Sequence, residues 1–146
     1  MAVKAIPDGY HSVTPYLMVK GAAQLIDFLK QAFGAEETFR MPGPEGIMHA
    51  TVKIGDSVVM MSDAMEEHGP MPTMLFLYVE DVDAVYKRAL QAGATSMQKP
   101  ENQFWGDRAG AVKDVFGNYW WIATHVEDVS FEELERRQRE MAQQPA

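Results

Sequence analysis

The sequence contains no cysteine among its 146 residues. This absence excludes disulfide bonds, zinc sites built on thiolates and cysteine nucleophiles, and it is compatible with a reducing cytosol. Any protein ligand to a metal would have to be a His, Asp or Glu side chain.

Basic residues are scarce, and long apolar runs are missing. Lys and Arg number 13 against 21 Asp and Glu, which gives a net charge of −8. Such a charge repels phosphate backbones and anionic membranes and attracts cationic ligands. The N-terminal residues form no apolar run of signal-peptide length, and no stretch approaches a membrane span. We therefore expect a cytoplasmic protein with no nucleic-acid or membrane partner.

What the sequence does contain is a repeated order of elements, in a chain whose 47% hydrophobic residues suffice for a packed core. A strand at about residues 14–19 precedes a helix at about 21–33 that ends at Gly34, and three short strands follow. The same order then starts again at residue 74. The predicted organisation is a first βαβββ module at 10–63, a linker at 64–73, a second βαβββ module at 74–126 and a charged C-terminal helix at 130–142.

The turns between strands support a duplication. Each half closes on a Gly-led turn before an apolar strand, at Gly55 in the first half and at Gly117 in the second. Ser130 followed by Glu133 forms a capping box, which predicts the start of the C-terminal helix. A ferredoxin-like α+β sandwich without a true repeat remains the alternative.

Two runs of sequence carry a resemblance to a known family. They are "HATVKIGDSVVMMSD" (His49–Asp63) and "FWGDRAGAVKDVFGNYWWIATH" (Phe104–His125). Together with the paired modules they resemble the vicinal-oxygen-chelate superfamily, and within it the PhnB-like branch of the glyoxalase/bleomycin-resistance/dioxygenase proteins. The resemblance implies an α+β fold in which two βαβββ modules form a cupped mixed sheet with the helices outside. It also implies that the protein is commonly a homodimer.

The resemblance also implies where a metal would be bound in the metal-dependent members. Their four ligands are His, Gln or Glu side chains on the first and last strand of each module. Carried onto this sequence, those positions fall on Thr14, Met74, Trp121 and a residue within 59–61. None of these is a His, Gln or Glu, so the usual four-ligand site is not expected and no cofactor is predicted.

Alternation along the strands indicates which side chains would line the cup instead. Trp121 and His125 share one face of the last strand, while Trp120 faces the helices. Trp105 and Arg108 could clamp a carboxylate or phosphonate, or Arg108 could merely pair with Asp107 or Asp114. Aromatic strand residues also commonly fill a core, so that interpretation stays open. The candidate ligand-binding residues are Tyr16, His49, Phe76, Tyr78, Trp105, Arg108, Tyr119, Trp121 and His125.

Three functions remain open from the sequence. The first is a protein that binds a small planar or cationic molecule in an aromatic cup without a catalytic metal. The second is a lyase, isomerase or dioxygenase of the same superfamily, with a divalent metal at a shifted site that includes His49 or His125. The third is a dimeric interaction module whose cup is filled. Phosphate-binding Gly loops, nucleophile elbows and His-Glu-x-x-His helices do not occur, which excludes those enzyme classes.

Overall fold

A computed structural model of the protein describes residues 2–144. The chain forms two four-stranded mixed sheets, each with a helix between its first and second strands, followed by a C-terminal helix. The strand orders are β1-β4-β3-β2 and β5-β8-β7-β6, so both modules have one topology and the predicted α+β fold is confirmed. The elements are β1 (Tyr16–Val19), α1 (Ala22–Phe33), β2 (Glu36–Gly43), β3 (Gly46–Ile54), β4 (Ser57–Asp63), β5 (Met74–Tyr78), α2 (Val82–Gln91), β6 (Thr95–Asn102), β7 (Asp107–Lys113), β8 (Tyr119–His125) and α3 (Phe131–Gln143).

The hydrophobic core lies between the helices and one face of each sheet. Alternate strand residues such as Leu17, Val52 and Ile122 are fully buried there, against the apolar faces of α1 and α2. Trp120 is 2% exposed, and its ring centroid lies 4.9 Å from that of Phe33 at the end of α1. Because α1 and α2 also contact each other, a single core joins the two modules.

The N-terminus of helix α1 is capped by an aspartate that is distant in sequence. Gly21 adopts a left-handed conformation and provides no side-chain cap. The Oδ1 atom of Asp63, at the end of β4, accepts hydrogen bonds from the backbone N–H groups of Gly21 (2.8 Å) and Ala22 (2.9 Å). Its Oδ2 atom accepts from the N–H of Ile47 at 2.7 Å. One carboxylate therefore connects the helix start to two strands of the sheet.

A second buried aspartate organises the turn between β7 and β8. Asp114 is 4% exposed and accepts hydrogen bonds from the backbone N–H groups of Phe116 and Asn118. It also accepts from the Asn118 side-chain amide at 3.1 Å and from the Trp120 indole at 2.9 Å. Asn118 in turn accepts from the N–H of Thr73, which precedes β5. The Asp-x-Phe-Gly-Asn sequence is thus a structural turn that sets the register of β7 on β8.

The C-terminal helix lies on the surface. The Ser130 hydroxyl accepts from the N–H of Glu133, as the capping box predicted. Arg137 connects the helix to the second module through hydrogen bonds to Glu127 at 2.7 Å and to the carbonyl of Phe104 at 2.9 Å. Phe131 remains 74% exposed. Within residues 2–144, no helix is long and apolar enough to cross a membrane.

Candidate functional site

Each sheet has a second face that the helices do not cover. On this concave face, large apolar side chains remain 43–65% exposed to solvent, although such residues are normally buried. In the first module they include Tyr16, Phe39 and Met41, and in the second Met74, Phe76 and Tyr78. The predicted split of the adjacent tryptophans is confirmed, since Trp120 lies in the core and Trp121 lies on the concave face.

The second module presents a group of rings that we call the aromatic face: Phe76, Tyr78, Tyr119 and Trp121. The parallel register places Met74 beside Tyr119 and Phe76 beside Trp121. Phe76 and Trp121 stack with an interplanar angle of 14° and a centroid separation of 6.3 Å, and Phe76 lies 5.2 Å from Tyr78. Phe76 is 47% and Tyr78 60% exposed, so these rings have surface available for contact with a flat molecule.

Three alanines lie on the same side of this sheet. By register, Ala111 pairs with Trp121, and Ala109 pairs with Ala123. All three are fully buried, yet they are not members of the main core cluster. The second module therefore has small side chains in the middle of its concave face and rings along β5 and β8.

At one end of the aromatic face, a buried carboxylate gathers three side chains. Asp107 is 1% exposed. Its Oδ2 atom accepts hydrogen bonds from the Tyr78 hydroxyl and the Trp105 indole N–H, both at 2.8 Å. Its Oδ1 atom lies 2.8 Å from Nδ1 of His125, whose Nε2 lies 2.8 Å from Oδ1 of the exposed Asp128. We call these five residues the Asp107 cluster.

The hydrogen bonds of the cluster change the protonation equilibria of its members. Burial alone would raise the pKa of the Asp107 carboxyl, but the hydrogen bonds from His125, Tyr78 and Trp105 outweigh burial and lower it. The bond to Asp107 raises the pKa of Tyr78. The carboxylates of Asp107 and then Asp128 raise the pKa of His125 above its ordinary value of 6.5. The cluster therefore favours an ionised Asp107 and a protonated His125.

The loop that carries Trp105 is fixed by the chain that follows β8. Gly106 has a φ of 104°, and a Cβ atom at this position would collide with the backbone carbonyl of Glu127. The carbonyl of Gly106 accepts hydrogen bonds from the N–H groups of Val126 (2.9 Å) and Glu127 (3.1 Å). The Trp-Gly-Asp sequence is thus explained by close backbone packing beside the Asp107 cluster.

The first module has a different and smaller constellation around His49. The Tyr16 hydroxyl lies 3.3 Å from its Nδ1 atom, and the Thr51 hydroxyl lies 3.4 Å from its Nε2 atom. The rings of Tyr16 and Phe39 lie 5.7 and 6.1 Å from the imidazole. His49 therefore lies among aromatic and hydroxyl groups, and Asp107 and His125 belong to the other sheet.

Arg108 departs from the prediction, because it is not on the aromatic face. It pairs by register with Thr124 on the opposite side of the sheet. Its guanidinium donates to both carboxylate oxygens of Asp83 on α2, at 2.8 and 2.9 Å, and to Asn102 at 3.3 Å. Neither Asp107 nor Asp114 is its partner. Alternation explains this placement, since Asp107 and Arg108 are consecutive residues of β7 and must point to opposite faces.

The positions that would carry the superfamily's metal do not fit a metal in this chain. Thr14 precedes β1, while Met74 and Trp121 lie on the concave face with thioether and indole side chains. Between residues 2 and 144, no group of three or more His, Asp or Glu side chains is placed to hold a metal ion. We therefore assign no chemical step to a metal.

A groove between the modules adjoins the aromatic face. Its volume is about 880 Å³, within the range of small-molecule sites. It runs from the β3–β4 turn at 55–57 to the edge strand β5, and Phe76 and Tyr78 line it. These two rings are thus accessible from the groove as well as from the concave face.

The sequence-based choice of site residues missed the role of Asp107 as an acceptor at the site. A signal for it was present, because the turn at residues 114–118 pairs Lys113 with Tyr119. Counting six residues back along β7 and six residues forward along β8 from that pair places Asp107 opposite His125, on the same face. Asp128 had no comparable signal, since it lies beyond the strand in an irregular segment.

Comparison with known proteins places this geometry in a family. Residues 9–122 match the Glyoxalase/Bleomycin resistance protein/Dioxygenase superfamily. An uncharacterized protein of Mycobacterium bovis is 38% identical over 147 residues, which cover 92% of this chain and 94% of the relative.

Two solved structures are similar in fold. TioX from Micromonospora sp. ML1 has a TM-score of 0.68 at 25% identity, over 80% of this chain and 99% of TioX. TnmS3, an antibiotic binding protein from Streptomyces sp. CB03234, has a TM-score of 0.61 at 23% identity, over 79% of this chain and 97% of TnmS3. The chain therefore belongs to the glyoxalase/bleomycin resistance protein/dioxygenase superfamily.

Proposed function

We propose that this protein binds a small, planar, cationic molecule on the aromatic face of its second module, without a catalytic metal. The observation that carries the proposal is the stack of Phe76 on Trp121, which leaves Phe76 and Tyr78 about half exposed on a sheet face that no helix covers. Flat rings bind flat ligands by stacking and bind cations through their negative faces, each contact contributing on the order of 1 kcal/mol.

Charge also supports this ligand class. The net charge of −8 raises the local concentration of cations around the protein and lowers that of anions. Arg108, the residue that could have clamped an anion, is held by Asp83 on the other face. The fold is compatible with such a role, because TnmS3 is an antibiotic binding protein with this fold.

We further propose that a homodimer completes the site. A ligand stacked on an open sheet face would be covered on one side only, whereas small-molecule sites generally bury most of their ligand. A second copy would supply the missing wall and cover the exposed apolar residues of both concave faces.

Assignment to the PhnB-like branch is likewise a proposal, and it rests on the two sequence runs at residues 49–63 and 104–125.

The metal-dependent enzyme has no specific observation in its favour. His49 lies on the first sheet among Tyr16 and Thr51, and His125 lies on the second sheet, with both ring nitrogens facing carboxylates. The two histidines therefore belong to different constellations within this chain.

Calorimetric titration with proflavine, a planar tricyclic cation, tests the proposal. We expect Trp121→Ala to weaken proflavine binding at least about fivefold, because one stacking surface is lost. Phe131→Ala on α3 serves as the control, since it removes an exposed ring elsewhere and should change the affinity by less than about twofold. Absence of proflavine binding to the wild-type protein, or equal affinities for wild type and Trp121→Ala, would refute the proposed site.

A further inference from the structure

The donors around Asp107 are already in use. Tyr78 has a single O–H and Trp105 a single N–H, and both donate to Oδ2 of Asp107. Nδ1 of His125 faces Oδ1 of Asp107, and Nε2 faces Oδ1 of Asp128, each at 2.8 Å. Three side chains that could donate to a ligand therefore direct their donors at carboxylates of the protein.

The groups left for a ligand at this end of the aromatic face are acceptors and ring surfaces. The Tyr78 oxygen keeps its lone pairs and is on a side chain that is 60% exposed. Asp128 is fully exposed and retains carboxylate lone pairs beyond the bond to His125. Asp107 and Asp128 carry two negative charges against one positive charge on a protonated His125, so the cluster is net negative in either state of His125.

The cations of strand β7 do not offset this arrangement. Arg108 faces the opposite side and pairs with Asp83. Lys113 shares the concave face with Tyr119, but it lies six residues from Asp107 along β7. At roughly 3.4 Å per residue the two are about 20 Å apart. Arg88 lines the groove beside Tyr78, and three carboxylates, those of Asp56, Glu80 and Asp81, line the same groove. Arg137 on α3 pairs with Glu127 and Glu133. An anion beside Tyr78 would therefore meet more carboxylates than cations.

We propose that Asp107 determines the charge selectivity of the site. Because Asp107 accepts the hydrogen bonds of Tyr78, Trp105 and His125, this end of the aromatic face binds cationic or donor-bearing planar molecules and rejects carboxylates, sulfonates and phosphates. This inference rests on the proposed function and adds the residue that sets its specificity. Asp107 is a positioning residue, since it is 1% exposed and acts through the three side chains it holds.

The test compares two planar tricyclic probes, cationic proflavine and anionic anthraquinone-2-sulfonate, by calorimetric titration. For the wild-type protein we expect proflavine to bind at least about tenfold more tightly. In Asp107→Asn the amide nitrogen can only donate, so at least one of the three donors loses its acceptor, and the cluster also loses one negative charge. We expect the ratio of the two affinities to fall at least about tenfold in this variant.

Asp83→Asn is the charge-matched control. It removes one negative charge from the opposite face of the sheet, so its affinity ratio should stay within about twofold of the wild type. An equal change of ratio in Asp107→Asn and Asp83→Asn would overturn the inference and leave the proposed function standing. Failure of proflavine to bind the wild-type protein would instead overturn the proposed function itself.

Tyr78→Phe keeps the inference testable if Asp107→Asn does not fold. This variant retains the ring and removes an O–H that, on our account, is unavailable to the ligand. Its affinity for anthraquinone-2-sulfonate should therefore not fall by more than about twofold. A loss of about fivefold or more would mean that the hydroxyl donates to the ligand, and it would refute the selectivity mechanism.

Discussion

At the scale of single residues, His125 joins the site to the chain that follows it. Its imidazole lies between the buried Asp107 of β7 and the exposed Asp128 of the segment before α3. A neutral imidazole has one N–H and can donate to only one of these carboxylates, whereas the protonated form can donate to both. The proton on His125 therefore determines whether both contacts are made.

This dependence predicts how stability changes with pH. The pKa of His125 is raised in the folded protein, first by Asp107 and then by Asp128. Its stabilising effect is thus fully present below the unfolded value near 6.5 and is lost as the pH rises through the higher folded pKa. We expect an NMR titration to give a His125 pKa above 6.5, and urea unfolding to show a decline in the free energy of unfolding across that range.

Two variants check that His125 is the group responsible. Asp128→Asn should lower the His125 pKa toward its ordinary value, because one of the two carboxylates loses its charge. His125→Gln should remove this component of the pH dependence, whereas His11→Gln, in the N-terminal loop, should preserve it. A His125 pKa at or below the ordinary value would contradict the hydrogen-bonded geometry.

Residue-level prediction from the sequence succeeded where alternation alone decides direction. Trp120 and Trp121 were separated into core and concave face, because consecutive strand residues must point to opposite sides. For Arg108 the sequence leaves a ligand clamp and an ion pair with Asp107 or Asp114 open, and the structure shows an ion pair with Asp83 instead. Its partner Asp83 lies 25 residues away on α2, and no local pattern indicates that contact.

At the scale of elements, the β7–β8 turn holds the second module together. Asp114 accepts four hydrogen bonds from the turn and from Trp120, and Asn118 extends the network to the residue before β5. The Asp-x-Phe-Gly-Asn motif at residues 114–118, which belongs to the sequence run that resembles the family, therefore has a structural role. It places Tyr119 and Trp121 in register on β8.

We expect Asp114→Ala to destabilise the fold by about 2–4 kcal/mol, because several buried donors lose their acceptor at once. Asp8→Ala is the control, since Asp8 forms an exposed pair with Lys4 whose loss should cost less than about 0.5 kcal/mol. Urea unfolding of both variants measures the difference. If Asp114→Ala were as stable as Asp8→Ala, the turn would not have the structural role described here.

Element boundaries were predicted less well than element order. Strand β1 begins at Tyr16, two residues after the predicted start. The sequence PGPEG at 42–46 is typical of a turn, but in the structure Pro42 pairs with Ile47 after a bulge and Gly43 pairs with Gly46. Proline and glycine tolerate such irregular edge pairing, so their presence indicated a turn where a bulged strand continues.

At the scale of the whole molecule, the fold buries the helix side of each sheet and leaves the concave side open. Both modules expose large apolar residues there, which a soluble monomer rarely does over so wide an area. Whether the exposed face is covered by a ligand, a second chain or both was beyond the reach of the sequence. Periodicity identifies a face that is apolar, and it does not identify what covers that face.

The homodimer leads to a prediction at this scale. Met74 is 65% exposed at the start of β5, which lies at the edge of its sheet, beside the aromatic face. A charge at this position would be buried without a partner in an interface formed by the concave faces, so Met74→Glu should shift the protein from dimer to monomer. Val115→Glu places the same charge on a residue that is 77% exposed in the β7–β8 turn, and it should remain dimeric.

Sedimentation equilibrium at micromolar concentrations distinguishes the outcomes. A dimer for the wild type and Val115→Glu, together with a monomer for Met74→Glu, supports closure of the site by a second copy. A monomeric wild-type protein would refute the homodimer, and the rings would then meet a ligand on an open surface. A dimeric Met74→Glu would place the interface elsewhere on the molecule, because the buried charge would cost several kcal/mol if the concave faces met there.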